Sequence, residues 1–459
     1  MTSTPDTAVV DRLRAELDGQ FVGPGDGEYD AARTVFVGGI DRRPAVIVRP
    51  TDADGVARVV SVARDTGLDL AVRSGGHSGA GHSVCEGGIM LDLSRMRALE
   101  VDVEGHTAWA QTGLTASGYT TAVGEHGLAT GFGDTGSVGI GGITLGGGVG
   151  FLSRKYGLTI DDVLAAEVVT ADGTLLHVDA DNEPDLFWAL RGGGGNFGVV
   201  TRFRYRLNEV PTVVGGMLML QASADVLTKF LAEADAAPDE LSTIANVMPV
   251  PPIPFIPAEH HGSLVLMALV CYAGPPEDGE RVLAPFRSLA TPLVDMVKPM
   301  PYPAIFLPED PDYHPTAVAR TLYVNDVSTE TAETVIERIR TSDAPMRVAQ
   351  LRMLGGAVAR VAPDATAYAH RTSRIMANVA AFYTGPADLA EREAWVLETA
   401  DLLRQDDAGV YVNFLGAEGP ERVRAAYPGA TWDRLVEVKR RYDPTNVFRL
   451  NQNIPPDGA

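Results

Sequence analysis

The chain has 459 residues, 45% of them apolar, which is the composition of a folded globular protein and too long for one compact core. Its formal charge of −22 comes from scattered acidic residues, a surface that repels phosphate backbones and argues against a nucleic-acid partner. Only Cys85 and Cys271 occur, so neither a disulfide framework nor a CxxC metal site can form, and no histidine spacing suits a metal. Met1–Gln20 is polar and acidic, without the pattern of a signal peptide, and no apolar run approaches a membrane span. A cytoplasmic protein without membrane contact is expected, as a monomer or homodimer.

Residues 8–18 (AVVDRLRAELD) place Val9, Leu13 and Leu17 at helical spacing. Strand and turn follow. PAVIVRP (44–50) reads as a strand, and residues 52–66 as a helix with Val56, Val59, Val60 and Val62 facing inward. LDLAVRSGG (68–76) reads as a second strand ending in a glycine turn. That is a βαβ unit, which places a loop at a strand's carboxyl end. Further strands are expected at 88–94, 107–113, 165–173 and 199–207, with a helix at 116–126.

After Pro211 the pattern alternates between strands (GGMLMLQA, SLVLMALVCYA, RTLYVND, RIMANVAAFY) and helices at 224–236, 277–290, 329–341 and 388–404. This predicts a mainly antiparallel sheet backed by helices. PVPPIPFIP (249–257) and PMPYPAIFLPEDPDYHP (299–315) are expected to be loops, either plain surface connections or the rim of a substrate pocket. GVYVNFLG (409–416) reads as a strand and 431–442 as a helix, before a polar tail.

Gly193, Gly195 and Gly198 satisfy GxGxxG, but an apparent helix precedes them and a strand follows, the reverse of a Rossmann site. Two other loops fit a nucleotide-like ligand better. RSGGHSGAGHS (73–83) follows a strand and can aim N–H groups and hydroxyls at phosphate. Residues 133–150 hold nine glycines in eighteen positions, which suits backbone lying along a large ligand; tight turns and close strand packing are the structural alternative.

VRSGGHS, GSVGIGGITLGGGVGFLSRKYGLTIDDVL, DLFWALRGGGGNFGVVT and KRRYDPTNVFRLNQNI together resemble the signatures of FAD-linked oxidases. The chain is similar to the berberine-bridge-enzyme-like branch of the vanillyl-alcohol oxidase superfamily. That resemblance implies an α+β fold: a PCMH-type FAD-binding domain of two α/β subdomains (1–210, core about 39–210), a substrate domain (211–410) and a C-terminal return (411–459). It implies FAD joined to the ring of His77 through the flavin's 8α-methyl. Relatives with a second link use a cysteine where this chain has Thr135, so a single link is expected, with Cys85 buried and unreactive.

The resemblance further assigns Arg73, Ser74, Gly75, Gly76, Ser78 and Gly79 to the pyrophosphate. Thr135, Val138, Gly139, Gly141, Gly142, Gly148 and Val149 would lie along the cofactor, Val199 and Val200 near the adenine. Asn413, Asn451 and Asn453 would meet the isoalloxazine or ribityl chain, donor and acceptor together matching the flavin's pyrimidine edge. Val138 stands where a small side chain admits oxygen. Tyr411 would project with Asn413 and act as base or substrate contact, or else be a packed aromatic. His370 and Arg371 open an expected strand, as catalytic groups or as a hydrogen-bonded structural pair; His82 is expected at a turn or the surface. Phe255, Tyr302, Phe306 and Tyr323 are either pocket wall or core.

The implied activity is oxidation of a small alcohol, amine, sugar-like or natural-product molecule, with O2 returning the flavin and forming H2O2. A dehydrogenase with another acceptor, or a flavin carrier without turnover, are the alternatives.

Overall fold

The computed structural model describes residues 10, 13, 14, 20–252, 256 and 258–458; most of the expected helix over 8–18, and Phe255, lie outside the described residues. A four-stranded sheet runs in the order Gln20–Val22, Val46–Arg49, Ile89–Asp92, Leu70–Arg73, the last three parallel. Helix Ala53–Thr66 crosses between the expected strand pair. Asp52 caps its first turn by accepting the Gly55 N–H at 2.7 Å, and Gly67, at φ +71°, ends it in the left-handed conformation. Val56, Val59, Val60 and Val62 are all buried on its inner face. Strand Ile89–Asp92 lies between the two strands of the βαβ unit. The loop carrying His77 therefore leaves the edge strand at its carboxyl end and returns beneath it to the middle of the sheet.

A second sheet is antiparallel throughout, in the order Leu99–Asp102, Thr107–Gln111, Val199–Arg206, Val163–Val169, Leu175–Asp179. Val169 and Val199 pack into the same core as the valines of helix Ala53–Thr66, so one helix glues the two sheets together.

The third sheet has eight strands, all paired antiparallel. Its main order is Val294–Asp295, Val213–Gln221, Leu264–Tyr272, Leu241–Pro249, Arg347–Met353, Ile375–Phe382, Ala317–Val324. Helices Ala224–Ala236, Gly279–Arg287, Thr329–Thr341 and Leu389–Leu403 share one apolar core with one face of this sheet. Strands Leu241–Pro249 and Arg347–Met353 were not expected. Their alternation is interrupted by polar residues that face away from the helices.

Two expectations need correction. Of the residues expected in loops, Pro249 is the last residue of strand Leu241–Pro249, and Pro299 belongs to the short strand Lys298–Met300, which pairs with Val213–Gln221 at the sheet's edge. An edge strand tolerates a residue without an N–H where the middle of a central one does not. The segment around Tyr411 is not a strand either: Val412–Phe414 is one turn of 3-10 helix.

Helix Ala430–Tyr442 returns to the first part of the chain and packs beside Pro184–Leu190 in its core. Buried Arg154 ties that part to the third sheet's helices, donating to the carbonyls of Ala234 (2.9 Å) and Ala237 (3.0 Å). These are orphan carbonyls at a helix C-terminus, a position that favours a cation. Among the described residues no helix is long and apolar enough to cross a membrane.

Candidate active site

Three glycine-rich loops and the C-terminal return enclose a cavity of about 360 Å³, within the range of small-molecule and cofactor sites. Its walls are largely backbone. A Cβ on Gly75 would come within 2.1 Å of the Gly139 nitrogen, and one on Gly139 within 2.2 Å of the Gly75 nitrogen, so the two loops touch main chain to main chain. Ser74 fastens the same junction, donating to the Thr112 carbonyl (2.5 Å) and accepting the Gly141 N–H (3.3 Å). At Gly142 and Gly195 a Cβ would meet nothing within 4 Å; these positions open onto the cavity. No lysine or arginine is among the lining residues, so N–H groups rather than cations would meet an anionic ligand here.

The structure brings most of the expected residues to this one cavity. Ser74, Gly75, Gly76, His77, Ser78, Thr135, Val138, Gly139, Gly141, Gly142, Val149, Val199, Val200, Tyr411, Asn413 and Asn451 line it. Arg73, Gly79, Gly148 and Asn453 do not. Arg73 lies behind the glycine turn and donates to the Ala32 carbonyl at 2.7 Å. Gly148 has φ +82° and no room for a side chain, since a Cβ would fall 1.9 Å from Thr159 Oγ1; its N–H donates to Tyr411.

His77 stacks on Phe36 with ring centroids 4.2 Å apart, and its Nε2 lies 3.0 Å from Ser137 Oγ. Burial pulls its pKa down to about 4, so the ring is neutral near pH 7. Tyr411 is buried, and its hydroxyl oxygen faces the N–H groups of Gly148 (2.9 Å) and Val149 (3.3 Å) and the Asn413 amide (2.9 Å). Burial raises its pKa despite these donors, so the phenol keeps its proton in neutral solution.

The C-terminal tail is held by a fully buried ion pair. Lys439 Nζ lies 2.7 Å from Asp443 and also donates to the carbonyls of Asn196 (2.8 Å) and Phe448 (2.9 Å). Asp443 in turn accepts the N–H groups of Val447 (2.7 Å) and Phe448 (2.9 Å), which fixes the turn leading to Asn451 and Gln452.

Sequence matches follow this geometry. The family model for an FAD binding domain matches residues 44–179, and the model described as berberine and berberine like matches 410–455. The FAD-linked oxidoreductase YgaK of Bacillus subtilis is 30% identical over 96% of this chain and 98% of its own. The chain belongs to the FAD-linked oxidoreductases. (R)-6-hydroxynicotine oxidase of Paenarthrobacter nicotinovorans is also 30% identical, over 96% of this chain and 98% of that one. The crystal structure of 6-hydroxy-D-nicotine oxidase from Arthrobacter nicotinovorans superimposes with a TM-score of 0.85 at 28% identity, covering 96% and 98% of the two chains. A berberine-bridge-like protein of Physcomitrella patens shares the fold at a TM-score of 0.86 and 23% identity, covering 97% of this chain and 99% of its own.

The residues of this oxidoreductase fit FAD on their own chemistry. Asn451 donates to the Gly195 and Phe448 carbonyls (both 3.0 Å), leaving its Oδ1 buried in the cavity wall without a partner among the described residues; Asn453 Oδ1 is also orphaned but lies off that wall. Such acceptors are costly unless a ligand supplies donors.

Sequence reasoning missed His82 and Ser83 as lining residues. His82 stands at a turn, as expected, and also lines the cavity, with Nε2 buried and unpartnered; Ser83 Oγ is likewise unpartnered. Their signal was the second Gly-His-Ser at 81–83, five residues after the first. Cys85 is buried and its thiol is pushed up to about 11; no cysteine lines the cavity.

Other candidates lie apart from the cavity. His370 precedes strand Ile375–Phe382 instead of opening it; it stacks on Tyr323 and meets the Ala426 carbonyl at 3.1 Å. Arg371 is fully buried in a two-pronged pair with Asp161 (2.7 and 2.8 Å). Tyr302, Phe306 and Tyr323 are buried and absent from the cavity wall.

The face of the third sheet turned away from its helices carries a polar chain that sequence reading also missed. Asn246 accepts from Gln350 (2.8 Å), Gln350 accepts from Arg352 (2.9 Å), and Arg352 pairs with Asp134 of the cavity (2.7 Å) while lying over the Phe414 ring. Alternate residues Ala245, Val247, Ala349 and Leu351 point the other way, into the helix-backed core.

Proposed function

We propose that this FAD-linked oxidoreductase is an oxidase carrying FAD on a single covalent bond to His77, and that it oxidises a small molecule bearing hydrogen-bonding groups. One observation carries the reading: a neutral imidazole, fixed by Phe36 and Ser137, stands in the wall of a backbone-lined cavity together with the Tyr411–Asn413 pair. When bound, FAD accepts hydride from a substrate C–H, and O2 carries the electrons away as H2O2.

The chain's own groups do the rest. The Ser74–Ser78 turn, Thr135–Gly142, Val149 and Val199–Val200 hold the nucleotide, with Arg73 bracing the first turn from behind and Gly148 holding Tyr411. Asn413 and Asn451 meet the flavin, and Asn453 stands behind that wall. Tyr411 is the catalytic group. With three N–H donors on its oxygen, its remaining proton is free to bond a substrate heteroatom and orient the carbon to be oxidised. The polar chain from Asn246 to Asp134 supports a substrate with several polar groups, an alcohol, amine or sugar-like molecule. Val138 at the cavity wall leaves a path for oxygen. Two buried unpaired cysteines fit a reducing, cytoplasmic setting, with the protein working as a monomer or homodimer.

Acid denaturation of the unmutated protein should leave yellow colour on the polypeptide, and His77→Ala should release all of it. Free flavin from the unmutated protein would overturn the covalent link. Alcohols, amines and sugars should then be screened for anaerobic bleaching, with peroxide measured once air is admitted.

A further inference from the structure

Glu309 sits in the proline-dense loop 299–315, far from the flavin motifs in sequence, yet it reaches the same histidine. Its carboxylate takes both hydrogens that Ser137 can offer: the backbone N–H at 3.0 Å on Oε1, and the hydroxyl on Oε2. A serine hydroxyl has one proton, and an ionised carboxylate only accepts. With that proton committed to Glu309, Ser137 Oγ presents a lone pair to His77 Nε2. Nε2 must then carry the imidazole's hydrogen, which leaves a lone pair on Nδ1. Of the two ring nitrogens, Nε2 is the one that meets the serine hydroxyl. Phe36, stacked at an interplanar angle of 17°, holds the ring in this orientation. Arg73 and Glu309 are the charged groups acting on the ring.

We propose that Glu309, acting through Ser137, is the positioning residue for flavin attachment: it fixes the Nε2–H form of His77 and receives that proton as Nδ1 becomes bonded to the 8α carbon. The proposal rests on the covalent reading of His77. In the step one C–H bond of the flavin methyl and the His77 N–H bond break, and one N–C bond forms. Two electrons and two protons leave in all; the electrons reduce O2, which with two protons becomes H2O2. The Nε2 proton travels through the Ser137 hydroxyl to the Glu309 carboxylate, which lies at the exposed rim and passes it to solvent. The proline loop of the third sheet's unit thus takes part in loading the cofactor, and attachment requires that unit to be in place.

The test uses the full chain produced under riboflavin limitation, then mixed with FAD in air. Total bound flavin is read after gel filtration, and attached flavin after acid precipitation. Glu309→Gln and Ser137→Ala should bind FAD as fully as the unmutated chain but attach it at least ~10-fold more slowly, equivalent to about 1.4 kcal/mol of barrier. The Glu309→Gln deficit should narrow as pH rises and hydroxide replaces the carboxylate, and Glu309→Asp should recover part of the rate. Attachment at the unmutated rate in both variants would overturn the proposal. So would a deficit that ignores pH and is not eased by aspartate, since that marks a purely structural role. If Glu309→Gln fails to fold, Ser137→Ala, which removes one hydroxyl, decides the matter. Flavin released by acid from the unmutated chain would instead remove the covalent reading itself, a distinct result.

Discussion

The cavity has two kinds of wall. Toward the cofactor it is built of main chain: Gly75 against Gly139, Gly142 and Gly195 open to the ligand, and no basic side chain. Toward the third sheet it presents the Asp134 side chain, which is backed from behind the wall by Arg352, Gln350 and Asn246 joined in sequence. A backbone wall demands glycine at particular places, because any other residue would collide. A side-chain wall needs only polar groups on alternate positions of a strand, and many sequences meet that condition. On the proposed function, the first wall serves a ligand that stays the same, and the second can change with the substrate.

Breaking the support of the backbone wall should have the largest effect. Lys439→Met leaves Asp443 charged in the core with two backbone N–H donors but no cation, which costs about 3–5 kcal/mol. Guanidinium unfolding should show that loss, and flavin retention should fall with it, because the tail bearing Asn451 loses its anchor. A replacement neutral in both respects would detach the C-terminal return from the cofactor wall.

Next comes the wall itself. Gly139→Ala forces two main chains apart and should cost about 1–3 kcal/mol, with flavin binding lost. Gly142→Ala, whose new methyl meets nothing of the protein, should fold normally and weaken only flavin binding. Thermal melts of both proteins before flavin is added separate the two effects. Equal melting would mean that the loops do not meet as described.

The smallest effect on the fold is expected from the other wall. Arg352→Met should leave flavin content intact while lowering kcat/KM about ten- to a hundred-fold, the ~1.5–3 kcal/mol of a hydrogen bond to a charged group. Loss of flavin in this variant would erase the distinction between the walls.

The same distinction explains what could be read from the sequence. Helices 224–236 and 329–341 were legible to the residue, because Ser223 and Ser328 cap regular apolar spacing. The glycine loops were legible because steric demand leaves a fixed pattern. Strands Leu241–Pro249 and Arg347–Met353 escaped notice because polar residues such as Asn246, Gln350 and Arg352 break up their apolar runs, despite the prolines and glycines that bound them. Ser137 and Glu309 escaped for another reason. They lie 172 residues apart, and a contact between two loops leaves no period in the chain. Tyr411 was placed on a strand that does not exist. It reaches Asn413 all the same, because one turn of 3-10 helix folds the two side chains together.

The tail held by Lys439 and Asp443 also bears on how the protein is made. The cavity's wall includes Asn451 and Gln452, and the helix that anchors them begins only at Ala430. A ribosome works from the other end, so the His77 loop is made long before the residues that complete the cavity. The cavity is therefore complete only once the return is in place, and a polypeptide truncated before Ala430 would carry every glycine motif with this wall left open.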